Sequence, residues 1–339
     1  MPEIPSPQSV LIAGGAGYIG SHTAKVLSRA GIIPVVLDNL CTGNKEAVRF
    51  GPFFEGSTAD SALVGHIIEK YKPFGAILFA GHAYVGESTQ NPRKYFRNNV
   101  SDTIRFLDTL IDCGVRRVVF SSSCSVYGVP DHVPIKEDSE THPLSPYGET
   151  KLFVEKVLKW YDSAYSLRSV CLRYFNAAGA DPEGVLGEHH DPETHLIPLA
   201  IQAALSGGIL KVFGTDYPTP DGTAIRDYTH VTDLVTGHLQ ALRCLLRDDK
   251  SMTINLGTGF GYSVKQVIQA VESQTGLHVP VEYMPRREGD APKLIADSGR
   301  ARIELGWVPE YSSLETVVRT AWRWYRGTQW PALADPVIC

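Results

Sequence analysis

The chain has 339 residues, with 32 Lys or Arg, 37 Asp or Glu and a formal net charge of −5 at pH 7. No run of basic residues supplies the cationic stripe that a nucleic acid requires, so no nucleic-acid partner is expected. No stretch of about 18 apolar residues is present, so no membrane partner is expected. The first residues lack the basic and apolar regions of a signal peptide, and we predict a cytoplasmic protein.

The six cysteines are dispersed along the chain, and none belongs to a Cys-x-x-Cys pair. In a chain of this length, such a distribution is typical of reduced thiols rather than of a disulfide framework. We therefore predict that the cysteines are reduced and buried.

The first half of the chain alternates short apolar strands with amphipathic helices. Strands are predicted at Val10–Ala13, Pro34–Leu37, Ala76–Phe79, Val118–Ser121 and Ser169–Leu172. Helices are predicted at Ile19–Ala30, Ser61–Tyr71, Pro92–Cys113 and Ser145–Tyr165. Continuous apolar strands that alternate with helices indicate a parallel sheet covered on both faces.

A glycine-rich segment follows the first strand and has the spacing of a dinucleotide-binding turn. Gly14, Gly17 and Gly20 form a G-x-x-G-x-x-G pattern, which also suits an ordinary strand–turn–helix. Such a turn leaves backbone N–H groups open to a pyrophosphate at the start of the next helix. Asp38 ends the second strand, where an acid accepts hydrogen bonds from a ribose and repels a 2′-phosphate. These features predict NAD rather than NADP.

The pattern changes beyond about Asn176, where long polar loops are rich in Pro and Gly. Shorter helices are predicted near Leu196–Leu205, Ser263–Thr275 and Ser312–Arg326, whereas Val231–Leu246 and Thr253–Leu256 have the pattern of sheet-flanking elements. We predict an α/β fold, with a Rossmann-type doubly wound parallel sheet and a smaller α+β C-terminal substrate domain. The predicted units are a tail at 1–8, the NAD-binding domain at 9–176 with 229–259 returning to it, the substrate domain at 177–228 and 260–328, and a tail at 329–339.

Ser123, Tyr147 and Lys151 form a candidate catalytic set. Tyr147 and Lys151 are four residues apart, so they are neighbours on one helical face, and Ser123 follows a central strand. A phenol with a pKa of about 10 is a poor base, but a nearby cation and an oxidised nicotinamide favour the phenolate. Alone, the pair also suits a packed Tyr with a solvated Lys. Its coincidence with the glycine turn favours catalysis.

Several longer motifs resemble the extended short-chain dehydrogenase/reductase superfamily and, within it, the UDP-sugar 4-epimerases of the NAD-dependent epimerase/dehydratase family. They are GGAGYIGSH (14–22), LDNL (37–40), VGES (85–88), RYFNAAGA (173–180), GTDYPTPDGTAIRDYTHV (214–231), NLGTG (255–259) and PRREGD (285–290). The resemblance implies a permanently bound NAD and transient oxidation at the sugar C4. Hydride then returns to the opposite face, which interconverts UDP-glucose and UDP-galactose. A homodimer is also implied.

The resemblance further implies which residues line the two sites. For NAD they are Gly14, Gly17, Tyr18, Ile19, Gly20, Asp38, Asn39, Asp60, Ser61, Phe79, Ala80, Gly81, Asn98, Tyr147, Lys151 and Phe175. For the UDP-sugar they are Ser123, Tyr147, Asn176, His195, Leu196, Lys211, Val212, Phe213, Arg226, Arg287, Asp290 and Leu294. Asn176, Arg226 and Arg287 are the expected phosphate contacts, since Arg forks suit diphosphate oxygens.

The segment GEHHDPETH (187–195) is rich in His and carboxylates. Its spacing matches no closed zinc pattern, so we predict no metal. We expect instead a substrate-side loop in which His195 stands where the family often has Asn.

Two positions depart from the family pattern. Ala83 stands where some members carry a Lys near the nicotinamide, which removes one electrostatic contribution to cofactor binding. Leu294 stands at the residue that gates the sugar pocket, where a bulky Tyr excludes N-acetylated sugars and a small residue admits them. Because Leu is intermediate, we predict UDP-glucose and UDP-galactose as the main substrates. UDP-N-acetylhexosamine and UDP-pentoses such as UDP-arabinose or UDP-xylose are the alternatives.

Two other functions compete with epimerisation. Nucleotide-sugar dehydratases and decarboxylases place an acid after the Ser/Thr of the strand-end motif, but 123–127 reads SCSVY and contains no carboxylate. A non-catalytic NAD-bound regulator is opposed by the presence of Ser123, Tyr147 and Lys151 together. Dimerisation would suit the helices predicted at Pro92–Cys113 and Ser145–Tyr165, which could pair in a four-helix contact.

Overall fold

The computed structural model describes residues 8–287 and 289–327. The strands in chain order are β1 (Gln8–Ala13), β2 (Ile32–Asp38), β3 (Phe53–Glu55), β4 (Gly75–Leu78), β5 (Arg117–Ser123), β6 (Arg168–Tyr174), β7 (Asn176–Ala178), β8 (Leu210–Phe213), β9 (Ile225–Arg226), β10 (Tyr228–His230), β11 (Met252–Leu256), β12 (Tyr262–Ser263), β13 (Val281–Met284) and β14 (Lys293–Leu294). The helices are α1 (Tyr18–Arg29), α2 (Ser61–Tyr71), α3 (Val85–Gln90), α4 (Pro92–Tyr95), α5 (Thr103–Asp112), α6 (Pro146–Tyr165), α7 (Leu196–Ser206), α8 (Val231–Asp248), α9 (Val264–Thr275) and α10 (Leu314–Arg326).

Seven parallel strands form the central sheet, in the order β3-β2-β1-β4-β5-β6-β11. The chain runs outward from β1 in one direction and then resumes at β4 in the other, so the switch point lies between these two strands. This doubly wound parallel sheet confirms the predicted α/β, Rossmann-type fold. Ligands of such sheets bind beyond the carboxyl ends of the strands at the switch point.

Alternating side chains of β1 enter two separate apolar cores, as the two-residue period of a strand requires. Val10 and Ile12 pack in the core that includes α1 and α8, whereas Leu11 and Ala13 pack in the core of α2, α5 and α6. All four residues have no measurable exposure. The strand is apolar throughout because helices cover both faces of the sheet.

The C-terminal half of the chain contributes both to the central sheet with its helices and to a separate apolar core. β11 pairs with β6 at the edge of the central sheet, and α8 packs in the same core as α1. A third apolar core joins α7, α9 and α10 to the parallel pair β8–β13. The division into an NAD-binding and a substrate domain at the stated boundaries stays a prediction.

Several elements differ from the sequence prediction. β3 and α3 were not predicted, and they are only three and six residues long. The helix predicted at Pro92–Cys113 is divided into α4, a π-helical turn at Phe96–Asp102, and α5. Gln8, expected in the N-terminal tail, begins β1. The remaining predicted tail residues, 1–7 and 329–339, lie outside the described residues, as does 328.

The prediction of buried cysteines is wrong for two of them. Cys124, Cys171 and Cys244 are buried, but Cys41 and Cys113 are exposed, and all five are free thiols. Cys41 lies in the loop after β2 and Cys113 caps the C-terminus of α5, positions where the chain reaches the surface. Cys339 lies outside the described residues.

Candidate active site

The glycine turn brings β1, β4 and α1 into close contact at the switch point. Gly14 has a φ of +83°, and a Cβ there would overlap the backbone of Ala80. A Cβ on Gly20 would overlap the Gly14 carbonyl oxygen, whereas a Cβ on Gly17 would meet its nearest neighbour at 3.5 Å. The first and third glycines therefore serve the packing of the turn, and Gly17 leaves its outer side open.

The N-terminus of α1 fits an anionic ligand. Its N-cap is Gly17, and among the described residues no side chain caps it and no acid stands in its first turn. The first N–H groups of a helix lack intrahelical partners and carry the positive end of the dipole. This cradle suits the pyrophosphate of NAD.

Asp38 is held beside this turn at the end of β2. One carboxylate oxygen accepts the Ala16 N–H at 2.9 Å and the other accepts the Leu40 N–H at 2.8 Å. Burial raises the pKa of Asp38, and these two N–H groups act to lower it. Each oxygen keeps a further lone pair, so the carboxylate fits a ribose diol.

The other predicted NAD residues lie in different environments. The Tyr18 hydroxyl donates to the Gly179 carbonyl at 2.6 Å, and the Asp60 carboxylate caps α2 by accepting the Leu63 N–H at 3.0 Å. These two side chains are thus engaged within the fold. Phe79 packs on His238 with ring centres 4.8 Å apart. The Ser61 hydroxyl accepts a hydrogen bond from Thr109, and the Asn39 side chain accepts one from the Cys41 N–H. The remaining residues of this set are half-buried: Ile19, Ala80, Gly81 and Asn98.

Tyr147 and Ser123 are brought together by the start of α6. Ser145 is the N-cap and its hydroxyl accepts the Gly148 N–H at 3.2 Å. A Cβ on Gly148 would approach the Ser125 carbonyl oxygen to 2.6 Å, so glycine lets α6 pack on the turn after β5. Ser123 and Tyr147 are 7% and 8% exposed, which leaves each a small face open.

Lys151 lies one turn along α6 from Tyr147. Its Nζ donates to the Ser121 carbonyl at 2.7 Å and lies 5.7 Å from the centre of the Tyr147 ring. Burial lowers the pKa of Lys151 to about 8, while Glu155 acts to raise it. Burial raises the pKa of Tyr147 to about 12, although the hydrogen bond with the Ser123 hydroxyl acts to lower this pKa. Tyr147 is therefore a protonated phenol in the free protein, and an added positive charge would favour its phenolate.

Sequence reasoning missed Asn99, which lies in the π-helical turn. Its side-chain carbonyl accepts the His82 N–H at 2.8 Å, and its amide donates to the His82 carbonyl at 2.9 Å and to Thr150 at 3.2 Å. A Cβ on Gly81 would lie 3.2 Å from Asn99 Oδ1. Asn99 thus holds the loop after β4 against α6. The preceding residue, Asn98, is also an asparagine, so the sequence does not show which of the two side chains faces inward. Only the geometry of the π-helical turn decides this.

A buried network behind Ser123 was also missed. Arg173 pairs with Glu155 at 2.5 Å, with the two side chains 7% and 8% exposed. Ser122 donates to Glu155 at 2.5 Å, and Arg173 donates to the Tyr127 hydroxyl at 2.9 Å. The network joins β5, β6 and α6. Glu155 follows Lys151 by four residues, and this spacing was the available signal.

The predicted UDP contacts converge on a second cluster. Arg226 forms an ion pair with Asp290, and the Arg287 guanidinium lies 3.9 Å from the centre of the Phe213 ring. Leu294 stands opposite Arg226 in the β9–β14 pair. Leu294 also packs against an apolar group that includes Cys124, Val126 and Phe175, next to the Ser123 turn.

Four other predicted substrate residues lie in different environments. The Val212 side chain is 1% exposed and belongs to the third core, so only its backbone can border a ligand. Lys211 is exposed on the opposite face of β8. The Asn176 amide donates to the Asp227 carbonyl at 3.1 Å. Leu196 begins α7 and packs against the third core.

The loop before α7 gathers the His and carboxylate side chains. Glu188 is 3% exposed and contacts His195 Nδ1, and its carboxylate lies 3.3 Å from His190 Nδ1. Although burial acts to raise it, His195 and His190 lower the pKa of Glu188 to about 2. Although burial acts to lower it, Glu188 and Glu193 raise the pKa of His190 to about 10. His195 was predicted to contact substrate, and here its ring is bound to Glu188.

The switch-point glycine turn, Asp38 and the Ser123–Tyr147–Lys151 set define a dinucleotide-binding enzyme of the Rossmann type. Residues 10–257 match the NAD dependent epimerase/dehydratase family, and the chain belongs to this family. No helix among residues 8–287 and 289–327 has the length and apolar character to cross a bilayer.

Curated relatives and solved structures agree with this assignment. The chain is 49% identical to a UDP-glucose 4-epimerase of Rhizobium leguminosarum bv. trifolii, over 94% of this chain and 97% of that protein. It is 51% identical to the solved UDP-glucose 4-epimerase from Brucella ovis in complex with NAD, with a TM-score of 0.91 over 93% of this chain and 97% of that one. A solved UDP-glucose 4-epimerase from Stenotrophomonas maltophila, with bound NAD and formylated UDP-arabinopyranose, is 39% identical. Its TM-score is 0.91, over 94% of this chain and 98% of that one.

Proposed function

We propose that this protein interconverts UDP-glucose and UDP-galactose by epimerisation at the sugar C4, using bound NAD. The observation that carries the proposal is the buried Tyr147–Lys151 pair beside Ser123 at the switch point of the sheet. The relatives with the same fold and nearly the same length are UDP-glucose 4-epimerases. The activity follows from the site and the family together.

NAD is held at the switch point by the chain's own backbone and side chains. We assign the pyrophosphate to the open N-terminus of α1, the adenosine ribose to Asp38 and the nicotinamide ribose to Lys151. When bound, NAD would supply the hydride acceptor for oxidation at the sugar C4 and the hydride donor for the return to the opposite face. Gly14 and Gly20 let the turn pack closely on β4 and on itself, whereas Gly17 leaves its outer side open to the cofactor.

Tyr147 is the proposed base. Its Oη accepts the proton of the sugar 4-hydroxyl during oxidation and gives a proton back during reduction. In the free protein its pKa is raised to about 12 by burial, so it depends on nearby positive charge to act at neutral pH. Lys151 supplies part of that charge, and the Ser123 hydroxyl donates a hydrogen bond to the reacting oxygen.

UDP is the part of the substrate that we propose the protein holds firmly. Arg226 and Arg287 are assigned to the diphosphate, with Asn176 beside them. Arg226 now pairs with Asp290, so UDP binding would share or replace that partner. The hexose must turn over between oxidation and reduction, and it has no such ionic anchor. The tight binding of UDP keeps the 4-keto sugar in the site while the sugar ring rotates.

Leu294 is the proposed determinant of sugar size. It packs beside the Ser123 turn and is half-buried. UDP-N-acetylhexosamine and UDP-pentose are second candidates, because the related Campylobacter jejuni structure is a UDP-Glc/GlcNAc 4-epimerase at 38% identity. The Stenotrophomonas maltophila structure holds a UDP-arabinopyranose derivative.

A homodimer is proposed from exposed aromatic side chains on neighbouring helices. Trp160 and Phe153 on α6 are 74% and 48% exposed, and Phe96 in the π-helical turn is 43% exposed. Large exposed apolar surfaces favour association. We further propose a cytoplasmic location and a role in galactose metabolism, since the substrate pair links galactose to glucose.

The deciding experiment incubates the purified protein, without added cofactor, with UDP-galactose, UDP-GalNAc or UDP-arabinose and separates the products. We expect UDP-galactose to yield UDP-glucose at the highest rate. Tyr147→Phe should retain NAD and lose turnover, whereas Tyr165→Phe, an exposed tyrosine on the same helix, should behave as the parent. NAD-bound protein that converts none of the three sugars would reject the proposal.

A further inference from the structure

Four potential metal ligands meet in the loop before α7. Glu188, His190, Glu193 and His195 each offer one ligand atom, and these atoms all lie within 4.8 Å of one another. The sequence spacing had argued against a metal because it matches no closed zinc pattern. That spacing does not show that the loop folds back on itself, which brings all four side chains to one point.

Two of the distances within the cluster are close to the edge of a tetrahedral site. Zn²⁺ binds imidazole and carboxylate at about 2.0–2.2 Å, so the edges between ligand atoms measure about 3.4 Å. His190 Nδ1 lies 3.3 Å from a Glu188 oxygen and 3.7 Å from a Glu193 oxygen. The His195–Glu188 contact is a hydrogen bond and would open by a small ring movement.

The Nδ1 atom of His190 is buried without a hydrogen bond among the described residues. This nitrogen is inaccessible to water, and the two carboxylates that face it make no hydrogen bond of acceptable geometry with it. A buried polar nitrogen without a hydrogen bond is costly. A metal ion bound by Glu188, His190 and Glu193 would replace the proton on His190 Nδ1 and give this nitrogen a partner.

Hydrogen bonds orient the cluster from outside. The N–H groups of Thr194 and His195 donate to Glu193 at 2.7 and 2.9 Å, and the Tyr325 hydroxyl donates to its other oxygen at 3.2 Å. The Trp324 indole donates to the Glu188 carbonyl at 2.9 Å. Such outer contacts typically orient the ligands of metal sites.

We propose that Glu188, His190, Glu193 and His195 form a binding site for one divalent transition-metal ion, with Zn²⁺ as the best match. Two imidazoles and two carboxylates suit Zn²⁺, and the two carboxylates balance its charge. Mg²⁺ prefers oxygen ligands in octahedral geometry and would bind poorly.

The site would tie together separate parts of the fold. Asn44, in the loop after β2, donates to the His189 carbonyl at 3.1 Å, and Tyr84 donates to the Pro192 carbonyl at 3.1 Å. Trp324 and Tyr325 approach the loop from α10. A metal here would stabilise the junction between the dinucleotide side and the third core, immediately before α7.

The test measures Zn²⁺ binding directly, with no substrate, so it is independent of the proposed epimerase activity. Untagged protein is treated with EDTA, dialysed, and titrated with Zn²⁺ by calorimetry in parallel with Mg²⁺. We expect one Zn²⁺ per chain, no comparable Mg²⁺ binding, and a higher melting temperature with Zn²⁺. Absence of saturable binding at one Zn²⁺ per chain would overturn the proposal.

Two variants at adjacent histidines give a matched comparison. His190→Gln should weaken Zn²⁺ binding by at least about tenfold, whereas His189→Gln, outside the cluster, should bind as the parent does. Equal affinity in the parent and His190→Gln would reject the site. Each metal-free variant is first checked by circular dichroism.

X-ray absorption of the Zn²⁺-loaded parent decides the ligand set even if a variant fails to fold. We expect nitrogen and oxygen ligands at about 2.0–2.2 Å and no sulfur. A shell with sulfur at about 2.3 Å would assign the ion to a cysteine and overturn the proposal.

Discussion

The Lys151 ammonium donates a 2.7 Å hydrogen bond to the Ser121 carbonyl oxygen, which ties α6 to the end of β5. The bond fixes the position of a buried cation one helical turn from Tyr147. A lysine held only by its flexible side chain would not keep its charge at that distance. The electrostatics of the site therefore depend on the strand as much as on the helix.

Replacing Lys151 should change the pH dependence of catalysis. In Lys151→Met the phenolate of Tyr147 loses a nearby cation, so the apparent pKa for kcat should rise. We expect kcat near neutral pH to fall by about 10- to 100-fold and to recover partly at higher pH. Stopped assays from pH 6 to 10 measure this, with Lys156→Met on the same helix as control. A parallel drop at every pH would contradict the assigned role.

Asp38→Asn should weaken the preference for NAD over NADP. The change removes the charge that repels a 2′-phosphate. The dissociation constant for NADP divided by that for NAD should therefore fall by about tenfold. Titration of cofactor-stripped protein with both nucleotides measures the ratio. Glu55→Gln, the exposed acid paired with Asp38 in the sheet register, should leave the ratio unchanged. Stronger NADP than NAD binding in the parent would refute the prediction.

His238 should contribute to acid instability. Burial lowers its pKa to about 4 while a bond to the Leu234 carbonyl acts to raise it, and its Nε2 has no hydrogen bond among the described residues. The unfolded chain binds this proton near pH 6.5, so the stability that His238 contributes is present above pH 6.5 and is lost as pH falls to about 4.

The corresponding experiment records melting temperature between pH 7 and 4. His238→Phe removes the titration and should flatten this dependence, although other buried histidines preserve part of it. His278→Phe, in which an exposed ring is changed, should keep the parental slope. An unchanged slope in His238→Phe would show that this group does not titrate as described.

Leu294 should control the choice between plain and N-acetylated sugars. Leu294→Ser enlarges the space beside the Ser123 turn and should raise the ratio of kcat/KM for UDP-GalNAc over UDP-galactose by about tenfold or more. Leu294→Tyr should lower the same ratio. Leu205→Ser, on the exposed end of α7, serves as the control. Identical ratios in both Leu294 variants would exclude this residue as the gate.

Trp160→Asp should dissociate the proposed homodimer. A charge at the centre of an apolar contact loses favourable burial and adds a desolvation cost. Light scattering coupled to size exclusion should show a dimer for the parent and a monomer for the variant. Ile303→Asp, at another highly exposed apolar site, should remain dimeric. A monomeric parent would reject the dimer itself.

Local patterns predicted much of the site because its chemistry lies in short motifs. The glycine spacing and the i, i+4 pair of Tyr147 and Lys151 each depend on geometry within one turn or one helix. Asn99 could not be chosen over Asn98 in this way, because an extra residue in a π-helical turn decides which amide faces inward. The exposure of Cys41 and Cys113 likewise depends on where surface loops end.

The sequence by itself determined the parallel sheet, the dinucleotide turn and the family, since strand periodicity and contiguous motifs are encoded locally. The tertiary structure alone decided how distant side chains meet. It paired Glu155 with Arg173 behind Ser123 and joined Arg226 to Asp290. It also folded the 188–195 loop so that four candidate ligand atoms converge, although their spacing along the chain indicated no metal. Contacts of this kind depend on loop closure and packing, which no local pattern specifies.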